Sequence, residues 1–482
     1  MATGEASLAR GTSGVADELW RWLRADWRGG RYAPWGVALA LLTTVVVTLY
    51  YSATPAVMLD PDSPAYLRVA RVIARQGKLV DPSRLPGYPL FIDGVSLVAG
   101  RNTLAALGGA QAALFILAII EVYVIGSMVL RRAWLAFIPA ALAGVNIFII
   151  SFVKPLMTEA LTLTLVTTLA LAVVWWAQAP SPRRLWLVAL ALAATFMTRP
   201  EWVYMPIPLM GALALLAWRR GDARVTRETL RHGALAALAL YGLVGLYVFS
   251  NGVLNGYFGF SDIQAFNLLG KALQYRLPGH GAPARYASAD LAMRGFLARG
   301  VTDPWQIVRE YPPFQRDHFR LMSAYSTAMI LHNPLTFIAG CWGTLTHTLA
   351  STEPFRTLPT AGALAGLGAL SEATLRLMWP FLLIAPVWWL LWALGRGDDA
   401  ARRQATQMSA LALLLAYDLV MTTAGGYVYY ARLHTPFDPL LFLVVIGSAL
   451  LALAQGTRWL RERLATRETA ETGKATGEAT YG

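Results

Sequence analysis

Two carboxylates, an arginine and a rigid bend follow the first long apolar stretch of this sequence. Asp60 and Asp62 begin the segment, and Arg84 precedes Leu85-Pro86-Gly87-Tyr88-Pro89. An ionised carboxylate can act as a general base towards a hydroxyl group, and a guanidinium can bind a phosphate with paired hydrogen bonds. Ionisable groups beside a bilayer are costly to keep. The segment therefore predicts a reaction centre at a membrane surface.

The same residues also have a purely structural interpretation. Ser63-Pro64 is typical of a helix start, which would place Asp60 and Asp62 where the helix dipole favours a carboxylate. Arg84 would then anchor the chain to lipid headgroups. The residues that follow predict an amphipathic helix lying in the membrane interface. One face carries Arg68, Arg71 and Arg75, and the other carries Tyr66, Ala70 and Ile73.

Later stretches bring more charged residues to the same predicted boundary. Lys154 and Glu159 flank the start of one apolar stretch, Arg199-Pro200-Glu201 forms a tight turn, and Arg432 follows a glycine- and tyrosine-rich segment. Each residue alone is explained equally well as an interfacial anchor or a local ion pair. Several such sets at one membrane face favour a shared site.

Two acids, Glu121 and Asp418, lie inside apolar stretches. An ionisable residue in that position suggests a functional role by default. Pairing with neighbouring helices explains them equally well, so we assign neither.

Composition identifies the class of protein. The 482 residues are 56% hydrophobic and only 14% charged, and the mean hydropathy is +0.47. These values exclude a water-soluble protein and predict a multi-span membrane protein. The net charge is +13, but the basic residues cluster at the ends of apolar stretches. That placement reflects topology and lipid headgroups rather than nucleic acid.

Several kinds of site are excluded or left open by the sequence. Cys341 is the single cysteine, so neither an internal disulfide nor a multi-cysteine metal site can form. The six histidines lack the short spacings of metal ligands, and no phosphate-binding loop or dinucleotide fingerprint is present. A divalent metal is left open, since carboxylates could hold it.

About ten stretches are long and apolar enough to predict helical spans. The positive-inside rule places six arginine-rich segments on one side if all ten alternate. The predicted domains are a cytoplasmic segment 1–32, a membrane domain 33–456 and a partly disordered cytoplasmic tail 457–482. The predicted spans are 34–54, 104–130, 133–152, 157–178, 185–198, 202–218, 233–251, 373–395, 408–424 and 435–455.

The predicted fold class is therefore an all-α polytopic helix bundle with helices at its outer surface. Residues 335–350 are apolar enough to cross, but we predict a re-entrant or interfacial helix there. Twelve crossings would follow if both 335–350 and 357–370 spanned the membrane. Two outer loops result, at about 55–103 and 252–334, and the second is expected to form short amphipathic helices joined by turns.

The segment that contains Asp62 resembles the GT-C superfamily of integral membrane glycosyltransferases. It is similar to bacterial relatives of the protein O-mannosyltransferases and of the lipid A aminoarabinose transferase. Those enzymes carry an Asp in the first outer loop, then a Tyr-Leu-x-x-Ala helix and a Pro-Gly-Tyr-Pro or related turn. The matching residues here are Asp62, Tyr66-Leu67-Arg68-Val69-Ala70 and Arg84-Leu85-Pro86-Gly87-Tyr88-Pro89. Weaker matches are Met157-Thr158-Glu159, Thr198-Arg199-Pro200-Glu201, His332-Asn333-Pro334 and Tyr430, Arg432 and Pro436.

The resemblance implies transfer of a sugar from a polyprenyl-phosphate donor to an acceptor hydroxyl at the outer face of the cell membrane. Asp62 would be the general base, with Asp60 as a second acid. Arg84, Arg199 and Arg432 would bind the donor phosphate, and the supporting residues would be Tyr66, Tyr88, Glu159 and Glu201. The acceptor would be a lipid, a glycan or a protein.

The sequence departs from the family pattern at two positions, and the first departure, at Ser83, puts a metal site of that kind in doubt. Ser83 stands where the aminoarabinose enzymes carry an acid implicated in metal binding, and Ser63 replaces the second acid of the mannosyltransferase Asp-Glu pair.

Other functions are compatible with a polytopic chain. A transporter or flippase of lipid-linked sugars predicts charges near the membrane midplane and broken helices in both halves. A polysaccharide polymerase or ligase predicts dependence on arginines of the large outer loop. The glycosyltransferase hypothesis instead requires acidic and guanidinium groups from distant stretches to meet in one pocket outside the lipid.

Overall fold

The structure, a computed structural model, describes residues 32–350, 362–382 and 399–454, together with Phe355, Ile384, Ala385, Trp388 and Thr457. Within these residues the chain forms helices and contains no β-strand, as the sequence predicts. The predicted cytoplasmic segments 1–32 and 457–482 lie almost wholly outside them.

Helices follow one another through the described part of the chain. In order they are α1 Ala33–Ser52, α2 Ser63–Gln76, α3 Gly87–Ala99, α4 Thr103–Leu130, α5 Ala133–Gly144, α6 Ile147–Val153, α7 Glu159–Gln178, α8 Pro182–Phe196, α9 Pro206–Trp218, α10 Ala223–Asn255, α11 Ile263–Gln274, α12 Ala287–Ala298, α13 Pro304–Glu310, α14 Arg320–His332, α15 Pro334–Ala350, α16 Ala363–Phe381, α17 Asp399–Val420, α18 Tyr430–His434 and α19 438–454.

Among the described residues, six helical segments are long and apolar enough to cross a membrane. They are Ala33–Ser52, Gly87–Leu130, Glu159–Gln178, Ala223–Asn255, Arg402–Gly425 and Tyr430–Ala454. A seventh is reached if α5 and α6, bent by 58° at their junction, count as one span.

Two of the ten predicted spans are short helices in the structure. The stretch 185–198 lies in α8, of 15 residues, and 202–218 lies largely in α9, of 13 residues. A straight helix of that length falls short of the hydrocarbon thickness of about 30 Å. The stretch 373–395 lies partly outside the described residues. The count of ten spans, and the alternative of twelve, stay predictions.

Helix α2 is amphipathic, as its sequence pattern predicts. Tyr66, Ala70 and Ile73 are buried, whereas Arg71 and Arg75 are exposed. The helix begins one residue earlier than the sequence predicts: Asp62, rather than Ser63, occupies the N-cap position, and Ser63 is the first helical residue.

The second outer loop folds into its own small helical unit. Helices α11 to α14 enclose a hydrophobic core that is separate from the core of the membrane bundle and includes Phe266, Leu269, Met293 and Phe314. This confirms the prediction of short helices joined by turns. The apolar helix α15 follows it and exposes Leu335, Ile338 and Trp342. Whether α15 crosses or lies along a membrane stays a prediction.

Candidate active site

Asp62 lies between two arginines that come from opposite ends of the chain. One carboxylate oxygen, Oδ1, accepts a hydrogen bond from Arg84 Nη2 at 2.6 Å. The other, Oδ2, accepts hydrogen bonds from Arg432 Nη1 and Nη2 at 3.2 Å each. The Asp62 side chain remains 33% exposed. Both oxygens are therefore held by guanidinium groups while the carboxylate keeps access to the surroundings.

Arg432 links the first outer loop to the start of helix α7. Its Nε donates to Glu159 Oε1 at 2.6 Å, and its Nη1 lies 3.6 Å from Asp60 Oδ1. Glu159 is fully buried, with its second oxygen unpaired among the described residues. Because Arg432 also holds Asp62, three carboxylates converge on one guanidinium.

Arg199 extends this ion-pair cluster from the turn between α8 and α9. Its Nη2 donates to the same Glu159 Oε1 at 2.7 Å, and its Nη1 lies 3.5 Å from Glu201 Oε1. Its Nη1 also donates to the carbonyl of Leu433 at 3.3 Å. The seven charged residues joined in this way are Asp60, Asp62, Arg84, Glu159, Arg199, Glu201 and Arg432.

Backbone contacts hold the first outer loop against the ends of the spans. Ser63 Oγ donates to the carbonyl of Leu156 at 2.7 Å and accepts from the backbone N–H of Asp60 at 2.9 Å. The Leu156 N–H in turn donates to the carbonyl of Met58 at 3.0 Å. These bonds fix Asp60 and Asp62 beside the start of α7, which supplies Glu159.

The Pro-Gly bend brings Arg84 to the cluster. The N–H of Gly87 donates to the carbonyl of Met197 at 2.9 Å. A side chain at Gly87 would begin 2.4 Å from Thr198 Oγ1 and 2.8 Å from that carbonyl. Glycine is therefore required for the bend to pack on the turn that carries Arg199.

Of the two tyrosines predicted to support the site, Tyr66 packs next to Arg84 and Tyr88 packs next to Tyr66. The guanidinium of Arg84 is 4.9 Å from the ring centroid of Tyr66, and Tyr66 contacts Tyr88 edge-on at 5.2 Å. The hydroxyl of the fully buried Tyr88 donates to Gln111 Oε1 at 2.9 Å. These rings restrict the position of Arg84 from its apolar side.

The structural alternative for Asp62 is confirmed in position but not in its contacts, and lipid anchoring by Arg84 does not fit its burial. Asp62 occupies the N-cap position, but its side chain makes no capping hydrogen bond; it binds Arg84 and Arg432 instead. Arg84 is only 11% exposed, so it does not extend to lipid headgroups. Its buried Nε has no hydrogen-bond partner among the described residues.

Two other charged residues have structural roles. Lys154 Nζ donates to the carbonyl of Tyr51, in the last turn of α1, at 2.9 Å and to that of Thr54, just past its end, at 3.2 Å. Glu121 accepts hydrogen bonds from Thr167 and from Thr168 of α7, so it is paired within the bundle.

Burial shifts the pKa values of two groups in and beside the cluster. It raises the pKa of Asp60, and the nearby Arg432 partly opposes that rise. Burial likewise raises the pKa of the Tyr66 hydroxyl. Four carboxylates and three guanidiniums leave the cluster with one negative charge when all are ionised (3 − 4 = −1). Protonation of Asp60 brings it to neutrality.

No metal-binding group stands out in the part of the chain that the structure describes. There, no set of three or more His, Cys, Asp or Glu side chains has a suitable arrangement. Whether the protein depends on a metal therefore stays open, as in the sequence analysis.

The largest difference from the sequence-based prediction is a cavity beside the cluster. The predicted acidic and guanidinium groups meet, but as a packed ion-pair cluster. A cavity of about 790 Å³ is lined by other residues, among them Gln274, Arg276 and Tyr430.

The cavity and its surroundings include residues that the sequence did not mark as functional. Lys271, on the second outer loop, is fully buried and donates to Tyr430 Oη at 3.2 Å. A lysine between Gly270 and Ala272 in an apolar helix was the available signal.

Among known proteins, the chain shows similarity only to solved structures. No protein-family model and no curated protein sequence matches the chain. The apo crystal structure of the Archaeoglobus fulgidus oligosaccharyltransferase is 13% identical, with a TM-score of 0.49, and the match covers 90% of this chain and 52% of that one.

Two further structures from the same organism are similar to a comparable degree. The oligosaccharyltransferase AglB in complex with an inhibitory peptide and a dolichol-phosphate is 12% identical, with a TM-score of 0.48, covering 92% of this chain and 52% of that one. The oligosaccharyltransferase tethered to an acceptor peptide with the NVT sequon is 16% identical, with a TM-score of 0.47, covering 88% and 50%. The chain thus spans about half the length of these structures.

Proposed function

We propose that this protein is a membrane glycosyltransferase of the GT-C type. It would move a sugar from a polyprenyl-phosphate donor to an acceptor hydroxyl at the extracytoplasmic face of the cell membrane. The observation that carries the proposal is the position of Asp62, held by Arg84 and Arg432 where the first outer loop meets the ends of several apolar helices.

In the proposed reaction, Asp62 accepts the proton of the acceptor hydroxyl as its oxygen attacks the anomeric carbon. The bond from that carbon to the phosphate oxygen breaks, and the electron pair leaves with the phosphate. Arg84, with Arg199 or Arg432, stabilises the growing negative charge. A single in-line displacement inverts the anomeric configuration.

The unpaired groups of the cluster support this assignment. Arg84 Nε is a buried donor without a partner among the described residues. Once the groups that cover it move, it can donate to a phosphate oxygen while Nη2 keeps its bond to Asp62. A phosphate adds negative charge to a cluster that already carries a slight excess of it. Because burial raises the pKa of Asp60, uptake of a proton by Asp60 on donor binding would offset part of the added charge.

The alternatives differ in where they require charge. A transporter or flippase needs ionisable groups along a path through the bilayer. In the described part of the chain, the seven-residue cluster lies at the ends of the helices, and the half-buried Glu121 accepts hydrogen bonds from two threonines. The buried Asp418 is the exception to this placement and stays unassigned. A polymerase or ligase would depend on arginines of the second outer loop, such as Arg276, rather than on Asp62.

The test uses membranes that contain the protein, incubated with candidate polyprenyl-phosphate sugars. Asp62→Asn keeps the shape of the side chain but removes the proton acceptor, so donor consumption is expected to fall at least about 100-fold. Arg84→Ala is expected to lose activity and donor affinity together. Asp317→Asn is the matched control, since Asp317 is exposed on the second outer loop.

Unchanged turnover in Asp62→Asn, with normal expression, removes this residue from the mechanism. Donor affinity retained in Arg84→Ala removes Arg84 from phosphate binding. Adding a chelator to the wild-type assay decides the metal question.

A further inference from the structure

The cavity beside the cluster has the size and lining of a ligand site. Its volume of about 790 Å³ lies within the range of small-molecule pockets, about 300–1,000 Å³. Tyr427, Tyr429 and Tyr430 line one side, and Gln274 and Arg276 line the side formed by the second outer loop. Aromatic rings with a few polar groups offer both stacking surfaces and hydrogen bonds.

The charge of the cavity is opposite to that of the ion-pair cluster. Arg276 and His347 line it, and no Asp or Glu is among its lining residues in the described part of the chain. Lys271 lies behind the wall, bonded to the hydroxyls of Tyr430 at 3.2 Å and Tyr275 at 3.3 Å. The balance of charge around the cavity therefore favours an anionic ligand.

The backbone around the cavity is strained at three lining residues. Arg276, Val428 and Tyr429 have φ angles of 54°, 61° and 56°, in the left-handed region that side chains avoid, above all β-branched ones such as valine. Strain of this kind persists where the surroundings enforce it and is concentrated at ligand sites.

Contacts with the second outer loop hold the strained segment in place. The Tyr427 hydroxyl donates to the carbonyl of Thr302 at 2.9 Å. Its ring packs on Gly270, where a side chain would begin 2.3 Å from the ring. The tyrosine wall is thus fixed to α11, which carries Lys271, and Arg276 lies just past the end of that helix.

One short helix separates the cavity from Asp62. Residues two apart on a helix point in nearly opposite directions, at 3.6 residues per turn. In α18, Tyr430 accordingly contacts Lys271 and lines the cavity, whereas Arg432 contacts Asp62. A ligand in the cavity is close to the reaction centre but not in it.

We propose that this cavity binds one acidic sugar unit of a glycan acceptor, away from the hydroxyl that reacts. A tyrosine ring would stack on the sugar and Arg276 would bind its carboxylate. Binding at such a remote subsite can be used to position the reacting group. That the ligand belongs to an acceptor rests on the proposed function. The cavity's preference for an acidic sugar does not, and it can be tested by binding without turnover.

The experiment measures binding of methyl glucuronide and methyl glucoside to the purified protein in lipid nanodiscs by saturation-transfer NMR. The wild type is expected to bind the glucuronide at least about tenfold more tightly than the neutral glucoside, the scale of one hydrogen-bonded charge pair. Arg276→Gln is expected to abolish that preference, and Tyr429→Gly, which suits the local backbone, to weaken both sugars. Arg309→Gln is the matched control, because Arg309 is exposed on the same loop outside the cavity lining.

The outcomes separate this inference from the proposed function. Equal binding of both sugars, no binding, or an unchanged preference in Arg276→Gln overturns the cavity assignment. Asp62→Asn is expected to bind the glucuronide normally while losing donor consumption. A wild type that consumes no polyprenyl-phosphate sugar, yet binds glucuronide through Arg276, would defeat the proposed function and leave the cavity assignment standing.

Discussion

Arg432 shows how one residue acquires its role from partners far away in the chain. Its side chain contacts Asp60, Asp62 and Glu159, and Glu159 is also held by Arg199. Removing one partner of a buried ion pair leaves an uncompensated charge, at a cost of about 3–5 kcal/mol. The cluster is therefore sensitive at each member, and the loss of one arginine affects several carboxylates.

Lys271 supplies a prediction about pH. Burial lowers its pKa to about 8 from the usual 10.5. Above pH 8 the folded protein therefore releases this proton before the unfolded chain does, so this residue makes the free energy of unfolding rise with pH up to about 10. The groups facing it are the hydroxyls of Tyr275 and Tyr430 and the thiol of Cys341.

Lys271→Met removes the ionisable group. We therefore expect the melting temperature of the wild type to rise relative to that of the variant between about pH 7.5 and pH 9.5. The measurement is thermal unfolding of both proteins in detergent across this range. Below about pH 7 the difference is expected to be constant, which serves as the internal control. A constant difference over the whole range contradicts a lowered pKa of Lys271 in the folded protein.

At the scale of elements, breaks in the helical pattern bring the site together. The bend between α5 and α6 precedes the linker that carries Leu156. The Pro-Gly bend at the start of α3 packs on the turn before α9. Irregular backbone at the ends of spans therefore places the charged side chains, while the helices themselves supply a rigid frame.

Gly87 tests this arrangement. Gly87→Ala places a methyl group 2.4 Å from Thr198 Oγ1 and 2.8 Å from the Met197 carbonyl, so we expect a loss of stability of about 1–3 kcal/mol. Donor consumption is expected to fall as well, because Arg84 moves with the bend. Gly94→Ala in the same helix is the control: its new methyl group meets nothing within 4 Å, and stability is expected to be unchanged or slightly higher. Equal stability of both variants would show that the bend is not tightly packed.

At the scale of the whole molecule, the orientation of the chain decides which substrates reach the cluster. The positive-inside rule places the segment around Arg227 in the cytoplasm and the second outer loop outside. Both Arg227 and Arg309 are exposed, so each can be replaced by a cysteine that reagents can reach.

In a Cys341→Ser background, Arg309→Cys is expected to react with a membrane-impermeant maleimide in intact cells. Arg227→Cys is expected to react only after the membrane is permeabilised. Labelling is read by the mass shift of the purified protein, with the cysteine-free background as the blank. Labelling of Arg227→Cys alone in intact cells would invert the topology and place the cluster at the cytoplasmic face.

The sequence by itself determined the class of fold, the amphipathic helix α2 and the types of residue in the cluster. Hydropathy and helical periodicity are local properties, so they identify apolar helices and the buried face of α2 before any packing is known. Ionisable side chains near lipid are energetically costly and therefore rare. For this reason the sequence alone could identify Asp62, Arg84, Glu159, Arg199 and Arg432 as candidate site residues.

Only the tertiary structure decided which of these groups touch. Asp62 and Arg432 are 370 residues apart, and no local pattern fixes a contact over that distance. The same holds for the cavity: the backbone strain at Val428 and the burial of Lys271 arise from packing between the second outer loop and the end of α17. Interactions between segments that are distant in sequence are set by the fold as a whole, and this is where the site acquires its geometry.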